Sequence, residues 1–520
     1  MVRLTWVLAI VLIGAGVITS RHIGAQGSVP SGSPPQSASN IASEEEARVV
    51  CGTACHSYAP PEILPRYAWR DEIARMALIR DNRPEPRGPR GVAGRMVVLP
   101  PDMERVLRFY LAKAPERLPA PTPWPAADAS GFAVRGLDMK AAPPDPAIAD
   151  VRLLDLDGDA RLELVATDMR YGMVLTGRPY ERNGSLQVAA QLNNPAFITR
   201  TDFDKDGIGD YFVGDLGEFL PADHTRGAVV WLRGTKEGKF DALELDGWPR
   251  VAAIELADFN GDGTLDPVVA AFGWRKVGNV TLLENHTTDY AKPSFTARVV
   301  DPRPGAIRAI PSDLNKDGRP DLVALFAQQF EEVVAFINNG TKEVGFTPQV
   351  IYKAPHPNWG SSGIELVDLD KDGDMDVLLT HGDTFDDQII KPYHGIRWLE
   401  NRGEYPFVEH HLADLPGVSR AVAADLDGDG DLDVIAGAFV AGDAEGATAQ
   451  LPGLVWLEQT RPGQFERRTL ETGSPHHAAV SAADVDQDGD VDIVVGNFMV
   501  TPERLAWVEV WENLRVRGTK

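Results

Sequence analysis

Seven times along the chain a short apolar run follows a cluster of acids: ELVAT from Glu163, DYFVG from Asp210, DPVVA from Asp266, DLVAL from Asp321, DVLLT from Asp376, DVIAG from Asp433 and DIVVG from Asp492. Each run is too short for a stable helix and rich in aliphatic residues, and predicts a buried β-strand. An alternating segment precedes each acid cluster. Behind the run come a strand such as GIRWLENR or GLVWLEQT and a last one such as FVEHHLADL or FERRTLETG. The clusters begin at Asp155, Asp202, Asp258, Asp313, Asp368, Asp425 and Asp484, spaced by 47, 56, 55, 55, 57 and 59 residues. Such regularity means one structural unit copied seven times. Four short strands per unit predict a mainly β fold, a seven-bladed β-propeller over residues 131–520.

A propeller must join its first and last blades or leave sheet edges exposed. The final unit ends at VEVWENL without an outer strand, and residues 131–139 (GFAVRGLDM) read as that strand, crossing back to complete the last blade. Trp231, Trp398, Trp456 and Trp511 recur at what reads as one blade position, where packing between blades explains them better than ligand contact.

Charge sharpens the picture. The formal net charge is −25, and the seven nine-residue acidic windows hold 29 of the 76 acidic residues. Their pattern is D-x-[DN]-x-D-G-x-x-D. Carboxylates at positions one, three, five and nine offer several hard oxygens to one cation, and the glycine at position six permits the turn that gathers them. The predicted ligands are Asp155, Asp157, Asp159 and Glu163; Asp202, Asp204, Asp206 and Asp210; Asp258, Asn260, Asp262 and Asp266; Asp313, Asn315, Asp317 and Asp321; Asp368, Asp370, Asp372 and Asp376; Asp425, Asp427, Asp429 and Asp433; Asp484, Asp486, Asp488 and Asp492. An all-oxygen, protein-supplied cage suits calcium better than magnesium, so up to seven calcium ions are expected. Solvated Asp-Gly turns are the plainer alternative. An EF-hand is excluded, because position twelve is apolar in every copy where that motif needs Glu. The first copy departs from the pattern: Ala160 replaces the glycine and Glu163 the last Asp, so this loop is expected to bind metal least well.

On these residues the repeats resemble the FG-GAP/VCBS family, over residues from about 130 to 520. The resemblance implies propeller blades with a calcium loop between the first two strands of each.

The N-terminal quarter reads differently. Residues 1–25 carry Arg3 and an apolar stretch from Leu4 to Ile18, the pattern of a signal peptide. An export destination, periplasmic or extracellular, follows, with membrane anchoring if the segment stays uncleaved. Residues 26–46, rich in Ser, Pro and Gly, read as a flexible tether. Both cysteines of the chain stand in Cys51-Gly-Thr-Ala-Cys55-His56. C-x-x-C-H is the attachment signature of haem c, with two thioethers and an axial His; here three residues separate the cysteines. A Cys51–Cys55 disulfide is the alternative, and a zinc site has too few ligands. Residues 47–118 resemble the small α-helical cytochrome c domain fused to FG-GAP repeats in some secreted bacterial proteins. That resemblance implies one covalent haem on Cys51, Cys55 and His56, with Met96 or Met76 as sixth iron ligand; Met103 reads as a core residue on a helix face. The Pro-rich residues 119–130 predict a stiff linker that spaces the two domains.

On the face opposite the acidic loops, Arg250, Arg308, His356, Arg420, His476 and His477 are expected just before innermost strands. A long insertion there carries His381, Asp383, Lys391, Tyr393 and His394. This convergence suits an anion or a sugar, or is simply solvated. No Walker loop, dinucleotide fingerprint or basic nucleic-acid stripe occurs. The leading expectation is an exported electron-transfer protein, a monohaem cytochrome c on a calcium-binding propeller that docks a redox partner or extracellular ligand. The alternatives are a propeller oxidoreductase passing substrate electrons to the haem, and a calcium-dependent binding or adhesion module without a redox role.

Overall fold

A computed structural model describes residues 40–52, 57–84, 92–341, 343–442, 448–499 and 505–515. The signal segment, most of the tether, Cys55 and His56 lie outside the described residues. Among the described residues no helix is long and apolar enough to cross a membrane. Residues 41–520 form one compact unit.

Seven four-stranded antiparallel sheets make a ring of blades. Blade 1 consists of Ile148–Leu154, Glu163–Asp168, Met173–Gly177 and Gln187–Gln191, from the innermost strand outward. The innermost strands of blades 2 to 7 begin at Pro195, Val251, Ala306, Ser361, Val418 and His477. The second strand of each blade is buried throughout, because neighbouring blades cover both of its faces. The predicted apolar runs are these strands.

Blade 7 is closed as expected. Phe132–Leu137 pairs antiparallel with Val508–Asn513, with Val134 opposite Trp511, so the chain's two ends share one sheet. Leu137, Val508 and Val510 then pack with Ile148, Val151 and Leu164 of blade 1. Closure removes the two edges that an open seven-sheet fan would expose.

The tryptophans hold a surprise. Trp231, Trp398 and Trp456 each face the third residue of the neighbouring second strand, namely Phe212, Leu378 and Ile435. Trp511 faces Ile493, the second residue, so it stands one register position away from the others. A one-residue offset turns a side chain to the opposite face of its sheet. Trp231 packs forward onto blade 3, whereas Trp511 packs back onto Trp456, Ile435 and Leu454 of blade 6. The expectation of one shared blade position therefore holds for three of the four.

The helical segment contains α1 (Glu44–Gly52), α2 (Trp69–Arg80), α3 (Val92–Met96) and α4 (Pro101–Lys113), with a 3₁₀ turn at Pro61–Ile63. Its core is filled by Trp69, Tyr110, Leu64, Ile73, Met103 and Leu107, all fully buried, and Trp69 stacks on Tyr110 at 4.0 Å. Ile389 and Tyr393 of blade 5 complete that core. The linker, expected to space the domains, lies along the propeller instead: Trp124 Nε1 donates to Asp414 O at 2.9 Å, and Thr469 Oγ1 to Pro125 O at 2.8 Å. The prolines stiffen it, and contacts with blades 5 and 6 fix where it runs.

Emptying the interface between blades 6 and 7 with Trp511→Ala is expected to cost about 3–5 kcal/mol. Val134→Ala, half exposed on the outer closing strand although on the same face as Trp511, should cost no more than about 1 kcal/mol. Denaturant unfolding in calcium measures both; equal effects would contradict the packing assigned to Trp511.

Candidate functional site

The acidic loops join first to second strands and gather on one face, here called lower. In each, the position-one carboxylate accepts backbone N–H groups of its own loop. In blade 2, Asp202 Oδ1 takes Asp206 N at 3.0 Å and Oδ2 takes Gly207 N at 3.1 Å. Position six needs a left-handed backbone, and its glycines have φ from 83° to 101°. Ala160 holds the same position at φ 68°, a conformation a side chain disfavours. Position four is left-handed in all seven loops as well, at φ 57° to 82°, although Lys205, Lys316, Lys371 and Gln487 occupy it in four of them.

Those four residues do something the motif did not announce. Lys205 Nζ donates to Gly263 O of the next blade's loop at 2.6 Å, and Lys316 Nζ pairs with Asp374 at 2.6 Å. Lys371 Nζ donates to Gly430 O, and Gln487 Nε2 donates to Ala160 O at 2.8 Å, which links blade 7 to blade 1. The side chain at position four thus latches a loop to its successor wherever it is long enough to reach.

Position nine is buried in every blade. In blade 5, Asp376 Oδ2 accepts Leu369 N at 3.2 Å and Oδ1 accepts Asn401 N at 2.8 Å, tying the loop to the end of the third strand. Asn401 Nδ2 donates in turn to Met375 O at 3.2 Å. Asn285, Asn338, Gln459 and Asn513 repeat this exchange with Asp266, Asp321, Asp433 and Asp492. These amides were missed in the sequence, although an E-N or E-Q pair recurs at the end of the third strand in blades 3, 5, 6 and 7 and was their signal, with Ile337-Asn338 in blade 4 as a variant. Glu163 differs, accepting Leu156 N at 3.0 Å and the Tyr180 hydroxyl at 2.9 Å.

The cages carry the chemistry a cation would relieve. Ligand oxygens come within 4.8 Å of one another in Asp155, Asp157 and Glu163; in Asp202, Asp204 and Asp206; in Asp368, Asp370 and Asp376; and in Asp425, Asp427 and Asp429. Asp368 Oδ1, Asp484 Oδ1 and Asp490 Oδ1 are buried without a hydrogen-bond partner among the described residues. Burial, followed by the negative charge of neighbouring loop acids, pushes Asp266, Asp376, Asp433 and Asp492 up to about 6, against the pull of their backbone hydrogen bonds. In blade 2 an internal cation stands close, with Arg233 2.5 Å from Asp204. The donor set, all hard oxygens with orphaned lone pairs, fits calcium.

The channel axis is charged but paired. Arg308 Nη2 meets Glu255 at 2.9 Å, Arg152 meets Asp150 at 2.9 Å, and Arg420 of blade 6 reaches Asp150 of blade 1 at 3.8 Å, past the innermost strand of blade 7. Arg308 and Arg420 therefore lie inside innermost strands, not before them as expected, and they point into the channel. Arg250 sits just before its strand, buried, and donates to Phe219 O at 3.4 Å. His477 is fully buried between Glu471 at 2.6 Å and Asn497 at 2.8 Å.

On the upper face, α2 and the loops of blades 3 to 5 enclose a cavity of about 410 Å³. Met76 and Glu72 line it from the helix; Trp274, Glu331, Asp383 and Lys391 line it from the propeller. Lys391 is buried and paired with Asp387 at 2.9 Å. Burial above all lifts Glu331 to about 8 and Asp383 to about 7. Gln328 and Glu331 on this wall adopt φ of 61° and 49°, backbone strain of the sort found at ligand sites.

The proposed haem donors are only partly described. Cys51 is the penultimate residue of α1 and lies inside the helical core, 6 % exposed, and burial pushes its thiol up to about 11. Met76 lies mid-α2, which runs four residues beyond it, between the core and the cavity. Met96 ends α3 and is 70 % exposed. With Cys55 and His56 outside the described residues, the thioether pair and axial imidazole rest on sequence alone.

Residues 313–379 match the model of the FG-GAP-like repeat family, a span running from the acidic loop of blade 4 to the second strand of blade 5. The fold is thus a seven-bladed β-propeller that carries an FG-GAP-like repeat. No curated protein matches the chain.

The pH dependence follows from the position-nine carboxyls. Their folded pKa is raised, so protonation favours the metal-free fold, and this contribution grows as pH falls from about 6 towards the unfolded value near 4. A cation needs the deprotonated form. The rise in melting temperature produced by calcium should therefore shrink between pH 7.5 and pH 5; an increment independent of pH would contradict the cage assignment.

Proposed function

We propose that this chain is an exported, calcium-loaded propeller scaffold that holds a small helical domain on its upper face and presents both to a partner. The observation that carries the reading is the set of buried, unpaired carboxylate oxygens on Asp368 and Asp484, inside cages repeated around the ring. A cation would give those oxygens the partner that water cannot supply, and the latches from position four would spread the effect from one loop to the next. The partner's place is the upper face, where the cavity and long blade 5 insertion lie, because paired charges occupy the channel axis. Export is supported by Arg3 and the apolar stretch that follows it.

A second reading is favoured by one specific sequence observation, the His directly after the second cysteine in Cys51-Gly-Thr-Ala-Cys55-His56. In it the helical domain carries one covalent haem c and the protein passes electrons to a partner. The haem would supply the one-electron couple. The chain would supply the thioether sulfurs of Cys51 and Cys55, the axial His56 and a sixth ligand from Met76 or Met96. The helical domain's contact with Tyr393 would fix the haem's position relative to the propeller.

Thermal melts with and without chelator test the first reading. Ligand binding to the folded state adds about 2.7 kcal/mol per site at hundredfold excess, so chelation should lower the midpoint by many degrees, and an unchanged midpoint would sink the proposal. Asp484→Asn should weaken the effect more than Glu163→Gln, since Glu163 closes the loop that already departs from the pattern.

The second reading is tested in protein matured where haem-attachment machinery is present. A Soret band surviving acid-acetone extraction is expected, and Cys51→Ala should weaken it. Protein from its native host without covalent haem would remove this reading and leave the scaffold.

A further inference from the structure

Blade 5 gathers three histidines that neither reading uses. His356 lies in the connection entering its first strand, His381 ends its second strand, and His394 immediately precedes its third. Far apart in sequence, all three reach the upper end of one sheet, because each strand boundary there returns to the same face. Their exposures are 7 %, 0 % and 0 %. Trp359 stacks on the His381 ring at 4.3 Å and meets His356 edge-on at 5.2 Å, and Tyr393 stands 5.0 Å from His356 and 5.5 Å from His394.

Five of their ring nitrogens, His356 Nδ1 and both nitrogens of His381 and His394, are buried with no hydrogen-bond partner among the described residues. A neutral imidazole always carries one donor and one acceptor, and burying both unpaired is costly and rare in folded proteins. Three such rings in one pocket need a common explanation. The Tyr393 hydroxyl, whose one proton faces Ile63 O and Asn358 O at 3.2 Å each, bonds to none of these nitrogens.

We propose that His356, His381 and His394 form a buried site for a copper(I) ion, bound through the nitrogens that have no partner in the fold. Imidazole is a ligand of late first-row transition ions. The surroundings select among them. No carboxylate bonds to any of the three rings, the cations Arg397 and Lys391 stand near enough to depress their protonation, and Lys391 already takes up Asp387, so a doubly charged ion would find no carboxylate among its ligands. A singly charged ion is favoured. Burial, the larger cause, keeps all three rings in the neutral state that ligation requires. The spacing agrees: a bond of about 2.0 Å plus roughly 1.2 Å to the ring centre puts a metal about 3.2 Å from each centroid. The His381 and His394 centroids are 6.4 Å apart, which suits the near-linear pair that copper(I) accepts, and His356 borders that pair through its ring contacts with Trp359 and Tyr393.

The test uses the full chain with saturating calcium, so that the acidic loops are filled. A Cys51→Ser, Cys55→Ser background removes the thiols as competing ligands and makes the outcome independent of the haem reading. Copper(I) is titrated anaerobically against bicinchoninate, and zinc is titrated separately. One equivalent of copper(I) should be retained, with at least a 100-fold loss of affinity in His381→Phe and in His394→Phe, both of which keep a flat ring in the pocket. His410→Phe, which sits on Trp398 away from the cluster, should bind as before. Melting midpoints in calcium confirm that the variants fold; if one does not, X-ray absorption of the unsubstituted protein decides, by the presence or absence of imidazole scattering around copper. No retained copper, retention unchanged in both Phe variants, or zinc held in preference would each overturn the proposal.

Discussion

The structure depends on one buried carboxylate repeated seven times. At position nine of each acidic loop, both carboxylate oxygens are spent on holding chain to chain: one on the N–H of loop position two, the other in six blades on the end of the third strand. This fastens the cage to the sheet before any ion arrives, and it explains why the second strand begins with an acid in an otherwise apolar run. Burial above all, and then the charge of neighbouring loop acids, makes the ionised form of this group costly in Asp266, Asp376, Asp433 and Asp492, and a bound cation would relieve that cost.

Around that staple the two faces divide their work. The lower face is a chain of cages, joined by Lys205, Lys316, Lys371 and Gln487, each reaching into the next loop. The upper face is where sequence varies between blades. Among the described residues, blade 5 is the one that receives the helical domain's core, through Ile389 and Tyr393, and it also houses the three histidines whose ring nitrogens find no partner there. The repeat therefore supplies a rigid ring, and one blade's long insertion supplies its individuality.

Much of this was legible in the sequence because the repeat imposes a period. The acidic loops, the buried second strands and the closing strand ahead of the first loop all follow from spacing and from the need to cover sheet edges. What escaped was set by register and by tertiary contact. Trp511 looks equivalent to the other three tryptophans until pairing with Ile493 shows the one-residue offset. Arg308 and Arg420 read as loop residues, because a bulge near the start of each innermost strand shifts the apparent boundary. The linker's prolines predicted stiffness correctly, but no local rule shows that Trp124 will lie against blades 5 and 6. Left-handed lysines at position four were invisible for a different reason: lysine is an ordinary surface residue, and only its backbone and its reach across blades give it a role.

Everything proposed for the lower face requires that the cages hold calcium. Equilibrium dialysis of the full chain against buffered free calcium, with the bound metal counted by atomic emission, tests it most directly. Six equivalents per chain are expected to bind together, with a seventh, in the loop of Asp155, Ala160 and Glu163, requiring higher calcium. A chain that retains one ion or none at millimolar calcium would contradict the claim and leave the acidic loops as hydrogen-bonded turns.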